Sequence, residues 1–407
     1  MGHFRFNNPL IPLTTWARLI GSWLVVIFFI LSGETFLDDS LSTLSATWFF
    51  LLLFITILTA SFGVVKEADH LAEQLGEPYG TLILTLSIVL IEVILIASVL
   101  LGPGDFPTIG RDSIFAVMMI IMNLVVGICL LAGSARNGEQ EYNAQGANSY
   151  LSMIVLLTGL ALVLPNYTSS QGEYSYTQAI GISGITILIY GAFLWMQMRG
   201  HRRFFIQPPK GLMNIPEQFI SVNHVSAGNV LVDNVLVDNM LADNNIEKKN
   251  NHSESNKKAI IIRSCVLVGL ILPIVLLAHY LAIITDYGIE ALGAPSAVGG
   301  VLIAIIVFTP ESITAVKAAM NNEMQRAINL CHGAFVSTVG LTVPAVLIIG
   351  IITGKQVIMG ISNAEIVLFA ITMLLTLFSF NGQKTSPIQG WMHLATFAIF
   401  GLILFYP

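Results

Sequence analysis

Eleven apolar runs dominate this chain, at roughly 14–32, 43–62, 80–101, 112–134, 148–165, 177–198, 259–282, 294–318, 328–352, 363–380 and 389–406. Each holds about 18–25 residues, enough for a helix to cross the ~30 Å hydrocarbon core of a bilayer. In hydrocarbon every backbone N–H and C=O must find a partner within the protein, so only helices and closed barrels span. Runs this long exceed barrel strands of about 10 residues. The composition agrees, with 55% hydrophobic and 10% charged residues where a soluble domain carries about 25% charged. The expected fold class is an all-α membrane protein of about 11 transmembrane helices.

The first run follows Arg5 and Arg18, like a signal peptide, but Ser32-Gly33-Glu34-Thr35 offers no small-residue cleavage site. It is expected to stay as a first helix. Cys129, Cys265 and Cys331 lie in apolar runs without CxxC spacing and read as small buried hydrophobes, neither disulfides nor zinc ligands. No basic patch points to nucleic acid. No HExxH or GxSxG motif points to an enzyme.

Lysines and arginines set the orientation. With the N-terminus cytoplasmic, sixteen of the eighteen fall on the cytoplasmic side, and only Arg111 and Lys355 fall outside. The N-terminus is therefore expected inside and the C-terminus outside. The connection 199–258 is the one sizeable extramembrane segment. It divides the chain into 1–40 (the extra N-terminal helix), 41–198 and 259–407. Five spans on each side of the connection invert the second half relative to the first, the plan of two inverted five-helix repeats with a midplane site. Within the connection, Asn229–Asp233, Asn234–Asp238 and Asn239–Asp243 repeat with a period of five. They are expected to form a disordered linker.

Two acids stand out inside the apolar runs. Glu311 follows Pro310 in Val307-Phe308-Thr309-Pro310-Glu311-Ser312-Ile313-Thr314, and Glu92 sits alone in Thr81–Ala97. An ionisable group at this depth costs roughly 2.5–3.5 kcal/mol on insertion scales and is functional by default. Each acid falls in the second helix of its half, so the two are expected to meet near the bilayer centre. Pro310 has no N–H and leaves the Ile306 carbonyl without its helical partner. That carbonyl, with Thr309, Ser312 and Thr314, makes a set of hard oxygen ligands for a cation. The alternative is that these hydroxyls bond their own helix.

Thr85 lies on the face of Glu92, and Asn123, His332 and Ser337 lie on the third helix of each half. Asn123 is a candidate carbonyl ligand or an inter-helix hydrogen-bonding group. His332 is a candidate proton relay or a packed neutral ring. Asp105, Asp112, Asp286 and Glu290 read as outer-loop acids able to draw cations to the mouth.

The stretches Gly76-Glu77-Pro78-Tyr79-Gly80-Thr81-Leu82, Thr309–Met320 and Arg326–Phe335, together with Glu92, resemble the bacterial calcium/proton antiporters of the cation/calcium exchanger superfamily, in particular the sodium–potassium/proton branch. The resemblance spans the whole membrane part and is thin in the connection. It implies the inverted-repeat fold, location in the bacterial inner membrane, and one glutamate per repeat, Glu92 and Glu311, binding cation or proton in alternation. It departs from the Gly-Asn-x-x-Glu pattern of calcium exchangers, having Ile88-Val89 and Val307-Phe308 at those positions.

Two carboxylates in one low-dielectric cavity do not both stay charged easily. One Ca²⁺ neutralises both, as do two protons, and the empty dianion is costly to carry. The expected function is Ca²⁺/proton antiport, with Na⁺ or K⁺ as alternative cargo. The site's metal is thus cargo held by Glu92 and Glu311, and no cofactor is expected. Membrane lipid, the cations and protons are the partners, and a homo-oligomer is compatible with the sequence. A cation channel is disfavoured because internal inverted duplication is not how pores are built.

Overall fold

The computed structural model describes residues 11–36, 42–75, 79–102, 106–168, 172–208, 253–382 and 384–406, with some side chains inside these ranges excepted. The apolar runs become helices one for one: α1 Leu13–Phe36, α2 Thr43–Leu75, α3 Tyr79–Leu100, α4 Ile109–Asn137, α5 Ala144–Val163, α6 Tyr176–Met198, α7 Ser253–Leu292, α8 Ala297–Met320, α9 Met324–Thr353, α10 Asn363–Phe380 and α11 Pro387–Phe405. Ten of these are long and apolar enough to cross a membrane, and α3 is described as apolar over Leu86–Leu100. The protein is an integral membrane protein.

Local chemistry sets the helix ends. Ser175 and Ser362 open α6 and α10 with capping boxes closed by Gln178 and Glu365, satisfying amides that have no intrahelical acceptor. Asn143 caps α5 by accepting from Gln145 N and Gly146 N. The long helix α9 stops at Gly354, which takes a left-handed conformation at φ 67°, open to glycine at no steric cost.

The two longest helices, α2 and α7, pack along each other, and α1 lies against both. One buried ion pair fastens them. Arg263 Nη1 donates to Glu67 Oε2 at 2.6 Å, and Thr15 Oγ1 donates to Glu67 Oε1 at 3.1 Å. Helix α8 occupies the middle of the bundle, touching α2, α3, α4 and α9. Its approach to α4 depends on Gly300, where a Cβ would stand 2.6 Å from the backbone of Asp112 and Ser113. Small residues at such crossings let helices associate where lipid removes the hydrophobic drive.

Two of the most enclosed helices, α4 and α9, each contain a π-helical turn, Met119–Val125 and Thr338–Thr342. Such turns cluster at functional sites. Asn123, in the first of them, donates to Thr372 Oγ1 of α10 at 3.0 Å, and its Oδ1 faces His393 Nδ1 of α11 at 3.3 Å. His393 Nε2 meets Ser379 Oγ at 3.1 Å. This network ties three helices together.

The connection between the halves is not structureless where it begins. After α6, the short 3-10 turn Arg202–Phe205 docks on the helix ends. Asn329 Nδ2 donates to Phe205 O at 2.7 Å, Gln207 Nε2 donates to Glu141 O at 2.9 Å, and Gln325 N donates to Gln207 Oε1 at 2.8 Å. At the far end, α7 is already helical at Ser253. The five-residue repeat at 229–243 lies outside the described residues, as does Asp105. Asp112 is no loop acid. It is buried in the first turn of α4, accepting from Thr108 Oγ1 at 2.7 Å and Arg111 Nε at 2.8 Å.

Candidate functional site

Glu92 is fully buried on α3. Two hydroxyls from the π turn of α9 reach it: Thr338 Oγ1 donates to Glu92 Oε2 at 3.1 Å, and Thr342 Oγ1 donates to the same oxygen at 3.0 Å. The other oxygen, Oε1, is buried with no hydrogen-bond partner. A carboxylate this far from water needs partners or a bound cation. Glu92 is half provided for.

Glu311 stands across from it on α8. Its acidic neighbours are Asp69 of α2 first and then Glu92 of α3. Its Oε2 is buried without a hydrogen-bond partner. It shares a small void with Ile121 and Val125 of α4, Cys331 of α9 and Ser312 of its own helix. It lies on a cavity of about 320 Å³ lined also by Ile88, Tyr150, Tyr190, Asn329 and Ser337. Phe205, Ile206 and Arg326 stand in the same lining, at the end of the bundle where α6 and α8 finish. Glu92 is absent from that lining, while Ile88, one turn before it, is present. The cavity therefore reaches the pair through Glu311.

The hydroxyls beside Glu311 bond their own helix. Thr309 Oγ1 donates to Ile305 O, Ser312 Oγ to Phe308 O at 2.7 Å, and Thr314 Oγ1 to Pro310 O at 3.0 Å. Each bond runs back one turn, the local alternative open to Ser and Thr in any helix. Thr309 and Ser312 face an apolar groove with Ile305, Ile313 and Val316. Of the two readings of Thr309, Ser312 and Thr314, the structure contains the own-helix bonds, while Thr338 and Thr342 are the hydroxyls that reach Glu92. Pro310 and Ile306 are buried within α8, and Ile306 faces the fissure on the opposite side of the bundle.

The remaining expected residues divide. Ser337 lies on the cavity wall and donates to Ala334 O at 2.7 Å. Asn123 has both ends of its amide engaged with α10 and α11, so it acts as an inter-helix group and is not brought to the glutamates. His332 is buried, with neither ring nitrogen hydrogen-bonded, edge-on to Phe380 at 5.2 Å and to Tyr150 at 6.3 Å. The packed ring is what the structure contains. The side chain of Thr85 lies outside the described residues.

Sequence reasoning missed Thr342 and did not give Thr338 its place. The signal was present in the four-residue spacing of two threonines, which puts both on one face of α9. It missed the docked turn over the cavity mouth as well. There the ring of Phe205 meets Tyr150 at 5.0 Å and Phe193 at 6.1 Å.

Comparisons with known proteins give the chain's family and fold. Residues 45–199 and 264–406 match the model of the sodium/calcium exchanger protein family, with the break falling at the connection. The chain is 30% identical over 390 residues to y4hA of Sinorhizobium fredii, covering 95% of this chain and 96% of that one. It is 30% identical over 356 residues to the sodium-potassium/proton antiporter ChaA of Escherichia coli, covering 87% and 88%. Its fold is similar to the solved structure of native YfkE, with a TM-score of 0.68 at 17% identity over 96% of this chain and 100% of that one.

Proposed function

The chain belongs to the sodium/calcium exchanger protein family, a family of secondary transporters and not of enzymes, and from that premise we propose that Glu92 and Glu311 carry cation/proton antiport. The observation that supports this most is the pairing itself. Glu92 on α3 is fully buried with one oxygen unpartnered, and Glu311 on α8, with an unpartnered oxygen of its own, lies on the cavity and has Glu92 among its acidic neighbours.

The chemistry follows from charge. Two ionised carboxylates side by side in a dry interior repel strongly. One divalent cation or two protons make the pair neutral, and the empty dianion resists being carried through the change of access. Exchange without leak is the consequence. In this reading the halves 41–198 and 259–407 are inverted repeats that rock around the pair. The cavity end is cytoplasmic, since Arg136, Arg199, Arg203 and Arg326 gather there. The membrane is the bacterial inner membrane, and the conformation is open to the inside.

Charge balance favours Ca²⁺ as cargo, exchanged for two protons. A second reading, Na⁺ or K⁺ with a co-bound proton, is favoured by the ligand shell. Ca²⁺ takes 6–8 oxygens, whereas Ile88, Ile121 and Val125 form much of the wall here. The relative ChaA, a sodium-potassium/proton antiporter by name, supports that reading as well. The test is proton flux in proteoliposomes of the purified protein with Ca²⁺, Na⁺ and K⁺ offered one at a time. Proton movement obligatorily coupled to one of them supports antiport and names the cargo. Uncoupled conductance, or none, removes the proposal.

A further inference from the structure

The side of the pair facing away from the cavity is nearly closed. A narrow, mostly apolar fissure of about 20 Å³ runs there between α7 and α8 with α3 and α4 behind, its polar lining being Asp286, Thr285 and Ser296 and its apolar walls including Leu95 and Ile306. Leu95 lies one turn after Glu92, and Ile306 is the residue whose carbonyl Pro310 frees. The fissure therefore joins the backs of both glutamate helices to the end of the bundle where α7 stops and α8 begins. It stands against an open cavity of about 320 Å³ on the other side.

Asp286 is inside α7, half-buried, and not in a loop. Its Oδ2 is buried and has no hydrogen-bond partner. The nearby acid Asp112 already has Thr108 and Arg111, and Glu290, one turn further along α7, is exposed. Glu67 precedes Glu92 by the same interval as Asp286 precedes Glu311, each on the first helix of its half. Glu67 is paired with Arg263 and accepts a hydrogen bond from Thr15. At the corresponding place on α7 the acid is left with an unsatisfied oxygen beside the hydroxyl-bearing residues Thr285 and Ser296.

We infer that Asp286 is a cation-recruiting site at the mouth of the second, closed pathway. It takes a metal cation that is shedding its water when α7 and α8 part, and passes it to Glu311 and Glu92. An acid in a narrow low-dielectric mouth concentrates counter-ions and speeds their arrival without changing the steps that follow. This rests on the antiport reading above and adds a sided site to it.

The test is sided. Exchange is measured in right-side-out and in everted membrane vesicles carrying the full chain, with the transported cation varied on the outer face in turn, for wild type, Asp286→Asn and Asp286→Glu. The expected result for Asp286→Asn is a half-saturating cation concentration raised roughly tenfold at the α7–α8 end alone. The maximal rate and the cytoplasmic half-saturation stay as in wild type, and Asp286→Glu restores the affinity. Equal changes at both ends, or a fall in maximal rate with both affinities intact, would make Asp286 structural and overturn the inference. If Asp286→Asn does not reach the membrane, Asp286→Ser carries the same comparison. Wild-type vesicles with no exchange at all would remove the antiport reading and this site with it. Wild-type exchange with an unaltered Asp286→Asn removes only this site.

Discussion

Thr342 of α9 donates its hydroxyl to Oε2 of Glu92 on α3 at 3.0 Å, joining a residue of the second half to the buried acid of the first. With Thr338 on the same oxygen, it fixes which side of the carboxylate is spoken for and leaves Oε1 without a hydrogen-bond partner.

Replacing both threonines by valine keeps the shape of α9 and removes the two donors. A hydrogen bond to a charged group contributes about 1.5–3 kcal/mol. The double variant should therefore show at least a tenfold rise in the half-saturating cation concentration, read from proton flux in proteoliposomes. Single variants should fall between. Unchanged affinity in the double variant would mean that the hydroxyls only pack.

The Glu67–Arg263 pair predicts a stability asymmetry. Removing one partner from a buried pair costs about 3–5 kcal/mol because the other charge is stranded, whereas replacing both with apolar or neutral groups is often nearly neutral. Arg263→Met should lower the melting temperature in detergent clearly. Glu67→Gln with Arg263→Met should recover most of it. Additive losses would show that the pair is not coupled.

The docked turn at 202–205 predicts a change in access. Asn329→Ala removes the donor that holds the Phe205 carbonyl, so the turn should lift from the mouth. In a Cys265→Ser background with Ser337→Cys as the reporter on the cavity wall, a charged thiol reagent applied from the cavity side should react several-fold faster once Asn329 is replaced. Exchange itself should continue. Equal labelling rates would leave the turn as a passive tether.

Much of this was legible in the chain. Eleven runs gave eleven helices because hydrocarbon leaves the backbone no other choice. Glu92 and Glu311 stood out as candidates because a carboxylate in an apolar helix is costly. Their surroundings were harder to read. Thr309, Ser312 and Thr314 sit beside Glu311 in sequence, but each bonds its own helix one turn back, a choice that spacing alone does not decide. Thr338 and Thr342 are far from Glu92 along the chain and reach it only because α9 packs on α3, with a π turn shifting which face it presents. Asn123 was open to both a ligand and an inter-helix role, and its two partners, Thr372 and His393, come from the last two helices, too far along the chain for the sequence to decide.

The central claim is that the two carboxylates work as one pair. Its most direct test is Ca²⁺-, Na⁺- and K⁺-driven proton flux in proteoliposomes of wild type, Glu92→Gln, Glu311→Gln and the double variant, each first verified as folded by size-exclusion chromatography. Glutamine keeps the volume and polarity of the side chain but neither takes up a proton nor neutralises a cation. Glu311→Gln should abolish exchange for every cation, because Glu311 is the member of the pair on the open cavity. Glu92→Gln should abolish Ca²⁺ exchange and retain at most weak monovalent exchange, and the double variant should be no worse than Glu311→Gln. Full Ca²⁺ exchange by Glu92→Gln, or near-normal exchange of any cation by Glu311→Gln, would contradict the two-carboxylate account.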